Sequence, residues 1–500
     1  MIDGLFPALA NLATPLPFAL VLLGTFLGIV VGAIPGLSGA MLIALSLPLT
    51  FYMDPVNAIV LLIGMYVGSI TGGLITATLL RMPGTPSNVV TTFDGHPMAQ
   101  SGRPGRALGL GIGASFIGGM VSWLVLLFLA KPLSIWATRF GPFEYFTLIL
   151  MAMVLIASVS QGSMVKGLIA GFLGMLISMP GVDPSAGQPR LTWDWYMLNG
   201  GLKLLPVLIG IFAVSQIIGD IVSIGKKIER VESSMKGLIM SARDWRDQAF
   251  NMLRSSLIGT WVGILPGIGA SIGSIMAYTT AKNMSRKPEE YGKGSEEGIV
   301  ASEAANNATV GGALIPLIAM GIPGSVIDAI LIGALMIHSL QPGPTLFLTN
   351  PEVVWAMIAA CLVANIMMFG IMLGAVRYVA AVMYVPRAFL LPVILVFCII
   401  GAFALDNTMF DVWVMLIFGV VGYVMERAGF PLGPFVIGFV LAPLMEEKLR
   451  SGLMMTAGSI EPIFTRPLPL LFLTISIALL LMPFFRAWRE GRRARAGGGK

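Results

Sequence analysis

The chain has 500 residues, of which 56% are hydrophobic and only 11% are charged, with a formal net charge of +6. A soluble globular domain carries roughly 25% charged residues, so the composition excludes that class and indicates a protein that crosses a membrane many times. The basic residues lie in loops beside the apolar runs and at the tail, as the positive-inside rule requires, which argues against a nucleic-acid-binding surface.

Apolar runs of about 17–25 residues recur between residues 17 and 485, and each is long enough to span a bilayer as a helix. The first sixteen residues contain no Lys or Arg, so no cleaved signal peptide is expected. We therefore predict an all-α polytopic membrane protein. The motifs below add two inverted structural repeats, broken helices and re-entrant hairpins to this prediction.

A Pro-Gly pair interrupts an apolar run in each half of the chain. The segment GIVVGAIPG begins at Gly28 and matches the segment GTWVGILPG, which begins at Gly259, at an offset of 231 residues. Proline removes a backbone donor and breaks the helical hydrogen-bond ladder. Paired helix breaks in the two halves of a membrane protein are the best sequence-level indication of a transporter's binding site.

Further marks recur in the same order. Thr71-Gly-Gly resembles Thr309-Val-Gly-Gly, and a second Pro-Gly pair follows each, at Pro83 and at Pro323, with an offset of 240. Phe140-Gly-Pro resembles the segment at 384–386 with an offset of 244. Offsets that drift slowly in one direction are typical of an old duplication with small insertions.

Loop charges predict that the two repeats are inverted. The loop at 81–106 contains three Arg residues, whereas its counterpart at 323–352 has no Lys or Arg. The connection at 51–56 likewise has none, and its counterpart holds several, so equivalent loops face opposite sides of the membrane. We predict a first transmembrane repeat at 1–225, a basic cytoplasmic linker at 226–252, a second repeat at 253–485 and a basic cytoplasmic tail at 486–500.

The two Pro-Gly pairs are expected at the tips of hairpins that enter from opposite sides and face one central cavity. A helix that restarts after such a tip exposes unpaired N–H groups and a partial positive charge, which suits an anion. The candidate substrate-binding residues at the tips are Pro35, Gly36, Leu37, Ser38, Gly39, Pro266, Gly267, Ile268, Gly269, Ala270 and Ser271.

A polar cluster interrupts the apolar run that begins at Ile299. Glu303 and Asn307 share a helical face, and a carboxylate in hydrocarbon costs at least a few kcal/mol unless it is paired or protonated. The cluster predicts a substrate or cation site, with interhelical packing and a Glu303 among the headgroups as the alternative. The candidate cation-coupling or cavity-lining residues are Ser69, Thr71, Thr76, Glu303, Asn306, Asn307 and Thr309.

Polar residues also follow the second Pro-Gly pair of each half. In the first half this set is Arg81, Thr85, Ser87, Asn88, Thr91 and Thr92, and its counterpart in the second half is Gly324, Ser325 and Asp328. Thr85, Ser87 and Ser325 are further candidates for substrate binding, although an ordinary polar turn has the same composition. Asp328 and His338 each lie in a short apolar segment, and either is a candidate coupling residue.

These motifs together resemble the large membrane subunit of the tripartite tricarboxylate transporters (TctA type), from about Phe18 to about Pro469. Phe93-Asp-Gly-His-Pro97 also fits the loop that follows in this family. The most specific parts lie at 32–36, 64–73 with 81–87, 263–269, and 303–308 with 321–324.

The resemblance implies the permease subunit of a binding-protein-dependent secondary transporter in the bacterial inner membrane. Such a subunit imports di- or tricarboxylates, with citrate as the namesake, by symport with Na+ or H+. The implied partners are a small membrane subunit (TctB type) and a periplasmic substrate-binding protein (TctC type). The chain lacks a phosphate-binding loop, in agreement with a gradient-driven mechanism. No catalytic residue, bound metal or other cofactor is expected.

Two other functions remain open at this point. The segment Gly36-Leu-Ser38-Gly39 could carry the nucleophile of an intramembrane serine protease, with His96 or His338 as its base. The second copy has Gly269 where Ser38 stands, which favours a structural role for the turn. An organic-anion channel or another small-solute carrier would also need helix breaks and polar spans, and saturable gradient-dependent uptake would separate these cases.

Overall fold

A computed structural model describes residues 3–159, 163–183, 187–222, 235–267, 269–382, 387–404 and 406–497. Ile268 and the repeat mark at 384–386 therefore lie outside the described residues, as does part of the linker. The described chain is almost entirely helical, which confirms the all-α prediction. Its short strands, β1 (Gly181–Val182) and β2 (Pro189–Arg190), form one antiparallel pair.

The helices are numbered in chain order over the described residues. A π-helical segment at Gly210–Val214 joins α9 to α10, and 3-10 helices lie at Pro86–Val89, Tyr196–Leu198 and Pro288–Glu290. The helices α1 to α21 are Leu5–Leu12, Pro15–Gly32, Gly39–Thr50, Pro55–Leu80, Thr91–Gln100, Pro104–Ala137, Pro142–Val159, Met164–Ile177, Leu204–Ile209, Ser215–Val222, Ala242–Ile264, Gly269–Met284, Glu296–Met320, Val326–Ile337, Leu346–Thr349, Pro351–Val382, Arg387–Ala404, Met409–Arg427, Leu432–Met455, Pro462–Thr465 and Pro467–Gly497.

Several helices are long and apolar enough to cross a membrane. Six described segments meet both conditions, so the polytopic prediction is confirmed at this level. Shorter apolar helices such as α3 and α14 lie between them. The six segments are Pro15–Gly32, Pro55–Leu80, Pro104–Ala137, Leu204–Val222, Pro351–Val382 and Met409–Arg427.

The chain divides into two compact units. Met1–Thr138 and Lys203–Arg427 form the first unit, and Arg139–Leu202 and Ala428–Lys500 form the second. Each unit therefore contains segments of both predicted halves. The repeat boundaries predicted at 225 and 253 stay predictions, and all described candidate site residues belong to the first unit.

The second unit has its own packing. Its α8 packs against α19, and α7 packs against α19 and α21. Arg190 and Arg450 form ion pairs with Glu446 at 2.5 and 2.7 Å, and Arg450 also pairs with Asp183 at 2.8 Å. These charges connect the β1–β2 hairpin region to α19.

The helix breaks occur where the Pro-Gly pairs predict them. The first break separates α2, which ends at Gly32, from α3, which begins at Gly39. The second break separates α11, which ends at Ile264, from α12. Gly36 and Gly267 have φ angles of +90° and +73°, in the left-handed region that glycine adopts without a steric cost.

Glycines bring α2 against α4 in the first half and α11 against α13 in the second half. A β-carbon at Gly28 would lie 2.5 Å from the Met65 carbonyl oxygen, and one at Gly263 would lie 2.6 Å from that of Thr309. Only glycine permits so close a backbone approach.

The close contacts of the two halves correspond residue by residue. Gly28 meets Met65 in the first half, and Gly259 meets Ala305 in the second. Residues of α2 and α11, the helices that precede the breaks, correspond at an offset of 231, and residues of the long helices α4 and α13 correspond at an offset of 240. The other matched pairs are Gly32–Ser69 with Gly263–Thr309, Gly72–Ile29 with Gly312–Thr260, and Gly84–Gly32 with Gly324–Gly263. The duplication detected in the sequence therefore has a counterpart in the packing, whereas its inversion across a membrane stays a prediction.

Within the first unit, helices of one half also pack against helices of the other half. The α6 helix of the first half packs against α13 of the second, and the α16 helix of the second half packs against α4 of the first. The Trp123 indole N–H donates to the Ile358 carbonyl oxygen at 2.9 Å where α6 meets α16.

One local prediction was wrong. The segment Phe93–Pro97, expected in a loop, lies within α5. The Asp94 carboxylate does not bond the backbone of its own turn; it accepts hydrogen bonds from the Gly292, Gly294 and Ser295 amides at 2.8–2.9 Å. Because its side chain is used elsewhere, it does not compete with the helical ladder.

The glycine contacts yield a stability prediction. Substitution Gly28→Ala is expected to lower the free energy of unfolding by about 1–3 kcal/mol, because the added methyl group overpacks the α2–α4 interface. The measurement is the thermal unfolding midpoint of the detergent-purified protein. Gly370→Ala in α16 is the matched control, since a β-carbon there meets nothing within 4 Å. Equal midpoints for the two variants would contradict the packing described for Gly28.

Candidate functional site

A serine caps the helix that begins after the first break. Ser38 is the N-cap of α3, and its hydroxyl accepts a hydrogen bond from the Met41 amide at 3.1 Å. The hydroxyl thus supports the helix end, which is a structural role. Pro35 and Leu37 are buried, whereas Gly36 and Ser38 are half-buried. Ser69 of α4 lies directly against Gly39 at the start of α3.

A buried cluster beside this break combines residues of both halves. We name Tyr66, Ser69, Ser325 and Asp328 the tyrosine cluster. The Tyr66 hydroxyl lies 3.2 Å from the Ser325 hydroxyl, which in turn caps α14 by accepting from the Asp328 amide at 3.3 Å. The Ser69 hydroxyl donates to the Tyr66 carbonyl oxygen at 2.9 Å. The Asp328 side chain is fully buried.

A larger cluster surrounds Glu303 of α13. The Glu303 side chain is 0% exposed and is therefore surrounded by other residues of the protein. Its Oε1 accepts from Asn88 Nδ2 at 3.0 Å and from the Thr91 hydroxyl at 2.5 Å, and its Oε2 accepts from the Ser115 hydroxyl at 3.2 Å. We name this group the glutamate cluster: Thr71, Thr85, Ser87, Asn88, Thr91, Ser115, Glu303 and Asn307.

Asn307 extends the glutamate cluster to α4. Its Oδ1 accepts from the Thr71 hydroxyl at 2.6 Å, and its Nδ2 donates to the Ser115 hydroxyl at 2.8 Å. The Thr85 hydroxyl lies 2.7 Å from the Ser87 hydroxyl and donates to Asn88 Oδ1 at 2.5 Å. The fold therefore joins α4, α6 and α13 with the turn after the second Pro-Gly pair.

The remaining polar candidates have local partners or none. The Thr76 hydroxyl donates to the Gly73 carbonyl oxygen at 3.1 Å, and the Thr309 hydroxyl donates to that of Asn306 at 2.6 Å. The Asn306 side-chain amide is buried, and neither of its polar atoms has a hydrogen-bond partner within the described part of the chain. Thr309 contacts Gly273 of α12 and thus faces the second break.

The second break is the more open of the two. Its Gly267 amide donates to the Gly324 carbonyl oxygen at 2.8 Å, which ties the tip to the second Pro-Gly turn of the same half. Gly269, Ala270 and Ser271 begin α12 and are half-buried. The first amides of a helix have no partner within the helix, so this end keeps donors for an anion.

Each break contacts the turn of the other half. The α12 helix packs against the 3-10 helix Pro86–Val89, and the α3 helix packs against α14. Ser87 lies in that 3-10 helix, Thr85 precedes it and Ser325 caps α14, so the candidate residues predicted after the second Pro-Gly pairs lie in or beside the elements that contact α12 and α3. Sequence offsets alone did not predict this crossing.

Three residues of the site were missed in the sequence. Tyr66 is the 240-residue counterpart of Asn306, and that offset could have found it. Ser115 lies in a glycine-rich run of α6 and carries no signal of its own. Asp220 of α10 is buried beside the first break, where a β-carbon at Gly36 would lie 2.9 Å from both of its carboxylate oxygens. It brings a carboxyl group to that break.

Arg106 forms ion pairs that join the start of α6 to the starts of α11 and α13. Arg106 donates to the carboxylates of Asp244 at 2.6–2.7 Å and of Glu296 at 2.7–3.0 Å. The hydrogen bonds from Arg106 hold the pKa of Asp244 well below its usual range. A cavity of about 660 Å³ lies among the neighbouring loops and is lined by Arg103, Gln248, Ser285, Lys287, Glu289, Glu290, Lys293, Gly294, Ser295, Glu296 and Glu297. None of its lining residues belongs to either helix break, and the mixture of acidic and basic side chains favours no single ligand.

Comparisons with known proteins place these features in a context. A sequence model described as "Tripartite tricarboxylate transporter TctA family" matches residues 18–437. The "Uncharacterized 52.8 kDa protein in TAR-I ttuC' 3'region" of Agrobacterium vitis is 33% identical over 493 residues, which are 98% of this chain and 98% of that protein. The "Uncharacterized protein in TAR-II ttuC' 3'region" of the same organism is 33% identical over 235 residues, 46% of this chain and 97% of its own length. No solved structure matches the chain.

The hydrogen bonds to Glu303 yield a second prediction. Substitution Thr91→Val is expected to lower the free energy of unfolding by about 1–3 kcal/mol, because a buried carboxylate loses one of its donors. In a Glu303→Gln background the same change is expected to cost less, since the neutral amide needs fewer donors. Thermal unfolding of the four proteins in detergent measures the cycle.

The matched control for this cycle is Thr474→Val in α21, where the hydroxyl bonds only the Leu470 carbonyl of its own helix. This change is expected to stay within about 0.5 kcal/mol of the parent protein. Additive effects of Thr91→Val and Glu303→Gln would contradict a direct bond between the two side chains.

Proposed function

Because the chain belongs to the tripartite tricarboxylate transporter TctA family, we propose that it is the permease subunit of a binding-protein-dependent secondary transporter. The chain is a multi-pass membrane protein of a transporter family, which is not an enzyme family. The finer proposal is symport of di- or tricarboxylates with Na+ or H+ into the cytoplasm across the bacterial inner membrane.

The observation that carries this proposal is the pair of helix breaks with matching supports. Each break ends a helix that approaches its neighbour through glycines at the same offsets, and each contacts the polar turn of the other half. A membrane protein tolerates irregular backbone at depth only where protein or a watery cavity surrounds it. Two such points, duplicated in the sequence and each in contact with a polar segment of the other half, favour a solute site over a purely structural role.

The second break is the better place for a substrate carboxylate. Its amides at Gly269, Ala270 and Ser271 are half-buried, and the start of a helix attracts negative charge. The first break already has the Asp220 carboxyl group against Gly36, which leaves less room there for a substrate carboxylate. Ser87 lies within the 3-10 helix that α12 contacts and Thr85 directly precedes it, and their hydroxyl groups are the proposed partners of the remaining substrate oxygens.

The partners follow from the family in the same way. A small membrane subunit of the TctB type and a periplasmic binding protein of the TctC type complete the proposed system. The binding protein would release a carboxylate to the outward-facing side of the permease. The coupling ion would enter through the polar clusters that adjoin the two breaks.

Substitution Pro266→Ala gives a third prediction. Continuing the helix through the second break would pair the amides that receive the substrate, and each such charge-assisted bond is worth about 1.5–3 kcal/mol. We expect the initial rate of uptake to fall about tenfold or more while the amount of folded protein in the membrane changes little. The measurement is uptake of radiolabelled citrate and succinate by cells that express the three proposed subunits.

Pro132→Ala is the matched control, because Pro132 lies exposed within α6 and away from both breaks. This variant is expected to keep its uptake. Normal uptake by a well-expressed Pro266→Ala protein would count against the second break as the site. Uptake that neither saturates nor follows an ion gradient in the parent protein would favour a channel.

A further inference from the structure

The two polar clusters are related by the duplication, yet their carboxylates stand at different positions. Asp328 corresponds to Asn88 at the offset of 240, and Ser325 corresponds to Thr85. In the long helices, Glu303 corresponds to Ile63. Each cluster therefore has one acidic side chain, which lies on the long helix in the glutamate cluster and after the Pro-Gly turn in the tyrosine cluster.

The two carboxylates differ in their hydrogen bonds. Glu303 accepts from three donors, all supplied by the first half of the chain. Asp328 is 0% exposed, and neither of its carboxylate oxygens has a hydrogen-bond partner among the described residues. The polar groups that adjoin it are Ser325 and the Tyr66 hydroxyl, whose oxygen atoms lie 3.2 Å from each other.

No positive charge compensates Asp328 from the helices that surround it. The helix α14 packs against α3, α4, α9 and α13, and these five helices contain no Lys or Arg. Tyr66 of α4 is the titratable group that faces Asp328, with Cys361 of α16 behind it. Glu303 of α13 faces the donors of its own cluster. An ionised carboxylate in these surroundings is strongly unfavourable, so the group is stable only when it is neutralised.

The neighbouring groups suit a proton better than a metal ion. A hard cation such as Na+ needs several oxygen ligands, and the described side chains that adjoin Asp328 add two hydroxyl oxygens to its carboxylate. A proton needs only one carboxylate oxygen. We propose that Asp328 carries the proton that couples uptake to the proton gradient. This proposal rests on the proposed function.

The coupling step follows directly. The Asp328 carboxylate binds one H+ from the outward side, which makes the tyrosine cluster neutral, and releases it on the inward side. The first break adjoins the cluster through Ser69 and Gly39, so the proton site contacts one hairpin while the substrate site lies at the other. Loading of both hairpins is then required for a complete cycle.

The first test does not require transport. The infrared difference spectrum between the purified wild-type protein and Asp328→Asn at neutral pH is expected to contain the C=O stretching band of a protonated carboxyl group. Glu303→Gln is the matched control and is expected to leave that band in place. A difference spectrum without the band would overturn the proposal, whatever the substrate is.

The second test uses proteoliposomes that contain the three subunits, with radiolabelled citrate and succinate as probes. A gradient of one pH unit is expected to support accumulation of about tenfold per coupled proton. Asp328→Asn is expected to equilibrate substrate without accumulating it. Ser241→Ala removes the N-cap of α11, outside both clusters, and should lower thermal stability while keeping proton-driven accumulation, which separates loss of coupling from loss of stability.

The outcomes distinguish the two proposals. If the wild-type protein takes up neither probe, the proposed function fails while the infrared result still decides the state of Asp328. If uptake occurs but follows Na+ in place of the pH gradient, or if Asp328→Asn keeps proton-driven accumulation, the role of Asp328 is wrong and the permease function stands.

Discussion

The close approach of backbones at glycine is the constraint on which the rest of the first unit depends. Without a β-carbon at Gly28 and Gly263, two helices in each half meet at carbonyl oxygens instead of side chains. This distance fixes where the helices with the breaks end and therefore where the Pro-Gly tips lie. The tips then find hydrogen-bond partners in the protein, as with the Gly267 amide and the Gly324 carbonyl. In a medium without water, packing and hydrogen bonding must be satisfied by the same contact.

The sequence predicted the features that obey simple spacing rules. A proline followed by glycine, at 35 and at 266, predicts a break in the helix, and a long apolar run predicts a membrane span. The offsets of 231 and 240 predicted which glycines correspond, and the contacts agree. Local chemistry of this kind depends on residues close in the chain, so it can be read without a fold.

The partners of the polar side chains could not be predicted, because they depend on contacts between the two halves. Glu303 and Asn307 were recognised as unusual, yet their donors, Asn88, Thr91 and Ser115, come from helices nearly two hundred or more residues earlier. Asp220 reaches the first break from a helix with no recognisable motif. Asp94 was assigned to a loop because its segment fits the loop expected from the family resemblance, whereas it lies in α5 and its carboxylate accepts hydrogen bonds from distant backbone amides.

The packing of α6 against α13 and of α16 against α4 has a consequence for how the chain is made. Synthesis proceeds from the N-terminus, so α4 leaves the ribosome long before α16, the helix that packs against it, has been made. During that interval α6 likewise waits for α13, and lipid or the insertion machinery must shelter both surfaces. Neither half can therefore reach its native packing before the other has been made.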